Sequence, residues 1–262
     1  MGLIMITSVQ NPKIKFVRDL QNQPKARHAA QAFVVEGVRL VEEALATDWK
    51  AQLVLYTADL GERGQKLVEG FAGCGVAVEQ VSPQVFQSAS DTQTPQGILA
   101  VLPIQSLPPP DRLDFLLIPD SVRDPGNLGA MLRSAAAAGV QAVYVPPLTA
   151  DPYAPKVVRA AMGAHFRLPI SSLDWPEIHR SIQEADLRVY LAAAGEGIPY
   201  TQADFSSPLA LVVGGEAEGA SPAASELADA RVQIPMPGCA ESLNAAVAAG
   251  ILLFEVVRQR KE

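Results

Sequence analysis

"DFLLIPDSVRDPGNLGAMLRSAAAAGVQAVYVPP", residues 114–147, holds the pattern on which the fold turns. An apolar, strand-like run from Phe115 to Pro119 ends in a polar Pro-Gly turn. A helical stretch follows in which Leu128, Leu132, Ala135 and Gly139 fall on one face, the spacing of a helix that meets a core. A second apolar run, Ala142 to Pro147, starts directly after it. Downstream, "FRLPI", "RVYLAAA", "LALVVGG" and "RVQIPM" repeat the strand signal, with helical patterns between most of them. Such alternation predicts an α/β domain with a mostly parallel sheet and helices on both faces.

Upstream, "PIQSLPPP" carries four prolines in eight residues, which favours extended, semi-rigid chain. Residues 103–111 therefore read as a linker between a first domain, 1–102, and a second, 112–262. The first domain mixes both signals. "FVVEGVRLVEEALA" reads as a strand running into an amphipathic helix. "AQLVLYT", "VAVEQV" and "TPQGILAVLPI" read as further strands, which makes a smaller α/β domain.

With 48% hydrophobic and 19% charged residues, the 262-residue chain has the composition of a folded, soluble protein. Its longest apolar run, Ala245 to Phe254, is about half of the ~20 residues that a membrane-spanning helix requires. The first residues lack the basic start of a signal peptide. Two cysteines, Cys74 and Cys239, form no metal spacing and no disulfide framework, which favours the cytoplasm. Three scattered histidines argue against a histidine-centred metal site, and no metal is expected.

A net charge of −7 disfavours indiscriminate nucleic-acid binding. The charge is unevenly spread. Residues 1–30 carry Lys13, Lys15, Arg18, Lys25 and Arg27 against Asp19 alone, a net +4 that leaves −11 for the rest. A basic segment on an acidic body is either an electrostatic footprint for a polyanion or a solvated helix surface.

Ligands of open α/β sheets bind beyond the carboxyl ends of the strands. Three strand ends here are chemically unusual. After "DFLLIP", Asn127 suits a helix N-cap. Arg133 lies on the helix flank among small neighbours, as a surface charge or an anion contact. After "LALVV", Gly214 and Gly215 permit close backbone approach, and Glu216 follows where the strand leaves the core. After "RVQIPM", a rigid "PMPG" turn leads to Ser242 and Asn244, either of which suits the cap of a final helix. Leu243, Val247, Ile251 and Phe254 form the apolar stripe of that helix, while its alanines and Gly250 leave a smooth flank for close packing. No nucleophile elbow, zinc motif or phosphate loop is present. Chemistry at these loops must rest on positioning, or on a ligand that brings its own reactivity.

The three loops together, Asn-x-Gly-Ala-x-x-Arg (127–133), Gly-Gly-Glu-Ala-Glu-Gly (214–219) and Ile-Pro-Met-x-Gly-x-x-Glu-Ser-Leu-Asn (234–244), resemble the motifs of the SpoU (TrmH) family. These are RNA ribose 2′-O-methyltransferases of the SPOUT superfamily. The N-terminal "SVQNPKIKFVRDL…FVVEGVRLVEEAL" is similar to the L30e-like substrate-binding domain attached to many members. The resemblance implies a trefoil knot near the C-terminus, S-adenosylmethionine as cofactor, RNA as partner and homodimerisation through knot-region helices. Ribosomal RNA is the expected substrate class and transfer RNA the alternative.

Carried over by motif, Gly214, Ile234 and Leu243 contact the cofactor, with Gly215 and Met236 as neighbours. Arg133 meets the RNA at the target nucleotide, and Asn127 holds the loop around it. Glu216, Ser242 and Asn244 organise the pocket. Lys13, Lys15, Arg18, Lys25 and Arg27 are the expected RNA contacts of the first domain. A guanidinium deprotonates too reluctantly to serve as a base. Arg133 is instead assigned to binding phosphate or to stabilising the developing alkoxide. One departure is Ala161, where relatives often carry serine. A noncatalytic RNA-binding or ribosome-assembly factor on the same scaffold is the competing reading, and the intact polar set argues against it. A small-molecule methyltransferase leaves the first domain without a role.

Overall fold

The structure, a computed structural model, describes residues 5–261 apart from 106, 196, 216–218 and 239–241. Its contacts divide the chain into two units. The first comprises residues up to Gln105 together with Tyr153–Phe166, and the second Ser106–Pro152 with Arg167 onward.

The first unit runs α1 (Pro12–Asn22), α2 (Pro24–Ala30), β1 (Ala32–Glu36), α3 (Val38–Leu45), β2 (Leu53–Tyr56), α4 (Glu62–Gly73), β3 (Ala77–Gln80), α5 (Pro83–Ala89) and β4 (Ile98–Pro103). Its four strands lie in the order β1-β4-β2-β3. β4 is antiparallel to both neighbours and β2 is parallel to β3. Ile14, Val17 and Leu20 of α1 recur at helical spacing and are fully buried against the sheet. The carboxylate of Glu36, at the end of β1, is buried and accepts from the hydroxyls of Ser90 and Thr92 and from the amide of Asp91. Buried acids persist where such donors replace water. The returning segment Tyr153–Phe166 is held in this unit by aromatic packing. The Phe33 ring lies 5.1 Å from Tyr153, and Trp49 lies 5.4 Å from Phe166.

In chain order the remaining elements are β5 (Phe115–Asp120), α6 (Pro125–Ala138), β6 (Ala142–Val145), α7 (Pro155–Ala161, within the first unit), β7 (Ile170–Ser172), α8 (Trp175–Glu184), β8 (Arg188–Ala192), β9 (Ile198–Pro199), β10 (Leu209–Gly214), α9 (Pro222–Leu227), β11 (Ala230–Gln233) and α10 (Ala245–Gln259). The seven strands of the second unit, ordered β7-β6-β5-β10-β8-β11-β9, are all parallel. All their carboxyl ends therefore lie on one edge. Leu116, Ile118, Val189, Leu191, Ala210 and Val212 pack on one face with Ile178 and Ile182 of α8 and Ala224 of α9. Helices α6 and α10 lie against each other on β5 and β10.

The structure revises two readings and adds one strand. "FRLPI" is not itself a strand: Ala164–Phe166 form a 3₁₀ turn and β7 begins at Ile170. Pro169 has no amide to offer a ladder, so pairing starts after it. The two-residue β9 is too short to leave a periodic signal. The apolar stripe of α10 is inverted. Ala245, Ala249, Leu252, Leu253 and Val256 are buried, whereas Val247 and Phe254 are about half exposed, at 52% and 50%.

The far end of α10 is tied down. The Arg260 guanidinium donates to the backbone oxygens of Asp114, Phe205 and Ser207 and to the Asp114 carboxylate, and it stacks on Phe115 at 5.0 Å. The Gln259 side chain accepts from the Phe205 amide and donates to Ala203. Among the described residues, no helix is long and apolar enough to cross a membrane.

Candidate active site

A cavity of about 600 Å³ opens at the carboxyl ends of β8, β10 and β11, beneath the first two turns of α10. Gly214, Gly215, Ile234, Met236 and Leu243 all line it, as do Ser242 and Asn244. The volume lies within the ~300–1,000 Å³ of small-molecule sites. Most of its wall is small or apolar. Arg231 is the one charged residue among the described residues lining it.

The glycine pair is required by the protein's own backbone. A Cβ on Gly215 would lie 2.3 Å from the carbonyl oxygen of Ser121. One on Gly214 would lie 2.8–2.9 Å from the backbone of Gly219 and Ala220. Gly215 and Gly219 form an isolated antiparallel bridge, and both line the cavity. Glu216 lies outside the described residues.

Asp120 pins that loop. It ends β5 in register with Gly214 and is fully buried. Its Oδ2 accepts from the Ser221 amide at 2.5 Å, and its Oδ1 accepts from the Ser121 hydroxyl at 3.1 Å. Ser221 in turn caps α9 by accepting from Ala224. A fully buried carboxylate thus ties the exit of the glycine loop, at Ser221, to the residue that follows β5. Sequence reasoning missed Asp120; its signal is an acid closing an otherwise apolar strand.

The start of α6 corrects the assignment of Asn127. Asp124 is the N-cap and accepts from the Asn127 amide at 2.9 Å, with Pro125 in the first turn, where its missing donor does no harm. Asn127 sits one turn inside, and its Oδ1 accepts from Nδ2 of Asn244 at 2.9 Å. Asn244 caps α10 by accepting from the amides of Ala246 and Val247. Further along, Ser134 is the nearest neighbour of Gly250. The two contacts make α6 and α10 run side by side in one direction, with both helix starts at the cavity rim.

Arg133 is exposed and is not among the residues lining the cavity. Three of the four other polar site residues, Asn127, Ser242 and Asn244, gather at the rim, and Arg133 stands on the outer flank of α6. Sequence reasoning also missed the end of β8. Leu191 and Ala192–Ala194 form part of the wall, but three alanines carry no chemical signal beyond their small size.

The basic N-terminal set divides. Lys15 and Lys25 are exposed and Arg18 is half-buried, while Lys13 forms an ion pair with Glu79. Arg27 is withdrawn from the set because it is buried at 3% exposure. Its Nη1 donates to the carbonyl of Leu20 at 2.6 Å, closing the end of α1. Among the described residues no cluster of metal-binding side chains occurs.

Residues 114–254 match the model of the SpoU rRNA Methylase family, and residues 11–100 match the MRM3-like substrate binding domain. The chain is 34% identical over 253 residues to the 23S rRNA (guanosine(2553)-2'-O)-methyltransferase RlmP of Bacillus subtilis, covering 96% of this chain and 98% of that one. It is 33% identical to the 23S rRNA (uridine(2479)-2'-O)-methyltransferase of Streptomyces viridochromogenes, covering 97% of this chain and 92% of the relative. The AdoMet-bound rRNA methyltransferase structure from Sinorhizobium meliloti is similar over 98% of both chains, with a TM-score of 0.87 and 31% identity.

Proposed function

Because the chain belongs to the SpoU rRNA methylase family, we propose that it methylates a ribose 2′-hydroxyl of ribosomal RNA. Membership makes it an S-adenosylmethionine-dependent RNA 2′-O-methyltransferase. The ribosomal assignment is the finer step. It draws support from relatives named for 23S rRNA and from the match of residues 11–100 to a substrate-binding domain. Those relatives are named for a guanosine and for a uridine, so the base is left open.

The observation that carries this reading is the cavity at the ends of β8, β10 and β11. Its small and apolar walls suit a nucleoside, and Ser225, Arg231, Ser242 and Asn244 suit the polar ends of an amino-acid-bearing one. When bound there, S-adenosylmethionine supplies an already activated methyl group. The chain's own residues then have to align donor and acceptor. Asn244 and Asn127 hold the two helix starts together at the rim. Arg133 works from outside the cavity on the RNA, as a charge-assisted donor to phosphate or to the oxygen that loses its proton. The proton leaves through RNA phosphate or water.

Arg133 lies on the same helix pair as the exposed Val247 and Phe254. On α6 its neighbours Ala136 and Ala137 are exposed too. Apolar residues displayed along two adjacent helices are the composition of an interface between copies. The proposal therefore includes a homodimer formed through α6 and α10. It also includes a trefoil knot in the C-terminal segment, which the family membership supports.

The test is to map 2′-O-methylation across ribosomal and transfer RNA from cells with and without the protein. Loss of one ribosomal mark is the expected result. Loss of a transfer-RNA mark alone would overturn the ribosomal assignment.

A further inference from the structure

Leu148 is the most exposed large hydrophobic residue described, at 70%, and its backbone is left-handed, with φ +69. Both features work against a leucine on grounds of folding. A side chain with a Cβ is disfavoured in this region, which glycine enters freely. No apolar burial offsets that penalty here. Strained residues of this kind persist where the surroundings over-determine them, and they gather at functional sites.

The surroundings are rigid. Pro146 and Pro147 precede Leu148. On its other side the Thr149 hydroxyl donates to the Pro119 carbonyl at 2.9 Å, and the Ala150 amide donates to the Val122 carbonyl at 2.9 Å. The tip follows β6, so it stands on the sheet edge that carries the cavity. The turn it grips, 119–122, leads directly into Asp124 and Asn127, and so to Asn244 at the rim.

We propose that Leu148 is a fixed apolar wedge that packs on the face of an RNA base beside the target ribose. This rests on the reading of the chain as an RNA 2′-O-methyltransferase and deepens it. Sequence-specific proteins take RNA at loops and ends whose bases are splayed out of the stack, and a nucleotide so displaced can carry its 2′-hydroxyl into a cavity. Apolar side chains, leucine among them, are inserted against bases where DNA is partly unstacked, and an aliphatic face can serve an unstacked RNA base in the same way. Leu148 supplies such a surface without a charge or a hydrogen-bond pattern, so it takes purine or pyrimidine alike.

The experiment compares wild type, Leu148→Gly and Leu148→Met. It measures methyl transfer to an unmodified 23S ribosomal RNA transcript, S-adenosylmethionine affinity, melting temperature and oligomeric state. Leu148→Gly relieves the backbone, so its melting temperature should be equal or higher. Its kcat/KM for RNA should fall about tenfold at unchanged cofactor affinity, and Leu148→Met should restore most of that. Wild-type kcat/KM in Leu148→Gly would overturn the wedge alone. So would a lower melting temperature, which would make the leucine a folding residue, or a shifted monomer–dimer balance, which would assign the tip to a partner subunit. A wild-type protein that methylates no ribose would overturn the wedge together with the function beneath it.

Discussion

The side-chain amide of Asn244 donates to Oδ1 of Asn127 at 2.9 Å, joining the starts of α10 and α6 across the cavity rim. The same Asn244 uses its Oδ1 to cap α10. In the proposed site, one residue serves both helix stability and site alignment, and the two roles separate by substitution. Asn244→Ser keeps a capping oxygen but cannot span to Asn127. It should unfold at nearly the wild-type temperature and yet lose kcat. Asn244→Ala forfeits the cap as well, at about 1 kcal/mol. Thermal unfolding alongside methyl-transfer kinetics distinguishes them, and equal effects of both variants on both measurements would reject the division.

Gly215→Ala drives a methyl group into the Ser121 carbonyl. Overpacking against backbone costs about 1–3 kcal/mol. The wall that must move lines the cavity, so calorimetric titration should show weakened S-adenosylmethionine binding beyond the loss of stability. A variant that is destabilised but binds normally would place the glycine loop outside the cofactor site.

Asp120→Asn replaces one acceptor oxygen by a donor, opposite either the Ser221 amide or the Ser121 hydroxyl. Leaving a buried donor unpaired costs about 1–3 kcal/mol. Denaturant unfolding should register that loss, and hydrogen exchange should locate it at the Ser121 and Ser221 loops.

Acid sensitivity should be traceable to the end of α10. The guanidinium of Arg258, hydrogen-bonded to Glu255 at 2.8 and 3.0 Å, holds that carboxyl below its ordinary value. Burial opposes the shift and the Gln259 amide adds to it. A depressed carboxyl stabilises the fold above its unfolded value of about 4.3, and that contribution vanishes as pH falls through the lower folded value. Arg258→Met should therefore be less stable than wild type at neutral pH, with the gap closing below about pH 4. A gap that persists unchanged into acid would assign the loss to packing alone.

Phe254→Lys and Val247→Asp alter side chains that are half exposed in the single chain. Each should leave secondary structure intact by circular dichroism while converting the proposed dimer to monomer in sedimentation. Dimers that survive both changes would move the interface off α10.

The legible and illegible parts of this protein have physical reasons. The β5–α6–β6 repeat was readable because Phe115–Pro119 and Ala142–Val145 are continuous apolar runs around a helix of clear period. The cavity residues of β10 and β11 were legible only through the resemblance of three motifs taken together, because glycine, proline or asparagine at a single strand end is also an ordinary turn or cap. Helix α10 was not. It is apolar nearly all round, so Leu243-Val247-Phe254 and Ala245-Ala249-Leu252-Val256 both satisfy helical spacing, and only tertiary context decides which is buried. Asp124 outranked Asn127 as a cap because Pro125 marks the first turn, a signal weaker in composition than in geometry. The burial of Arg27 is invisible in a count of charges. The return of Tyr153–Phe166 to the first unit depends on Phe33 and Trp49, over a hundred residues away, beyond the reach of any local pattern.

In the proposed reaction the methyl donor occupies the cavity, and Arg133 acts on the acceptor from outside it. Arg133→Ala is its most direct test, with S-adenosylmethionine affinity and single-turnover transfer to ribosomal RNA measured on the same preparation. The prediction is a cofactor Kd within about twofold of wild type and a transfer rate reduced by ~10²–10³, the scale on which loss of one transition-state donor is felt. Transfer at the wild-type rate, or loss of cofactor binding in step with activity, would contradict it.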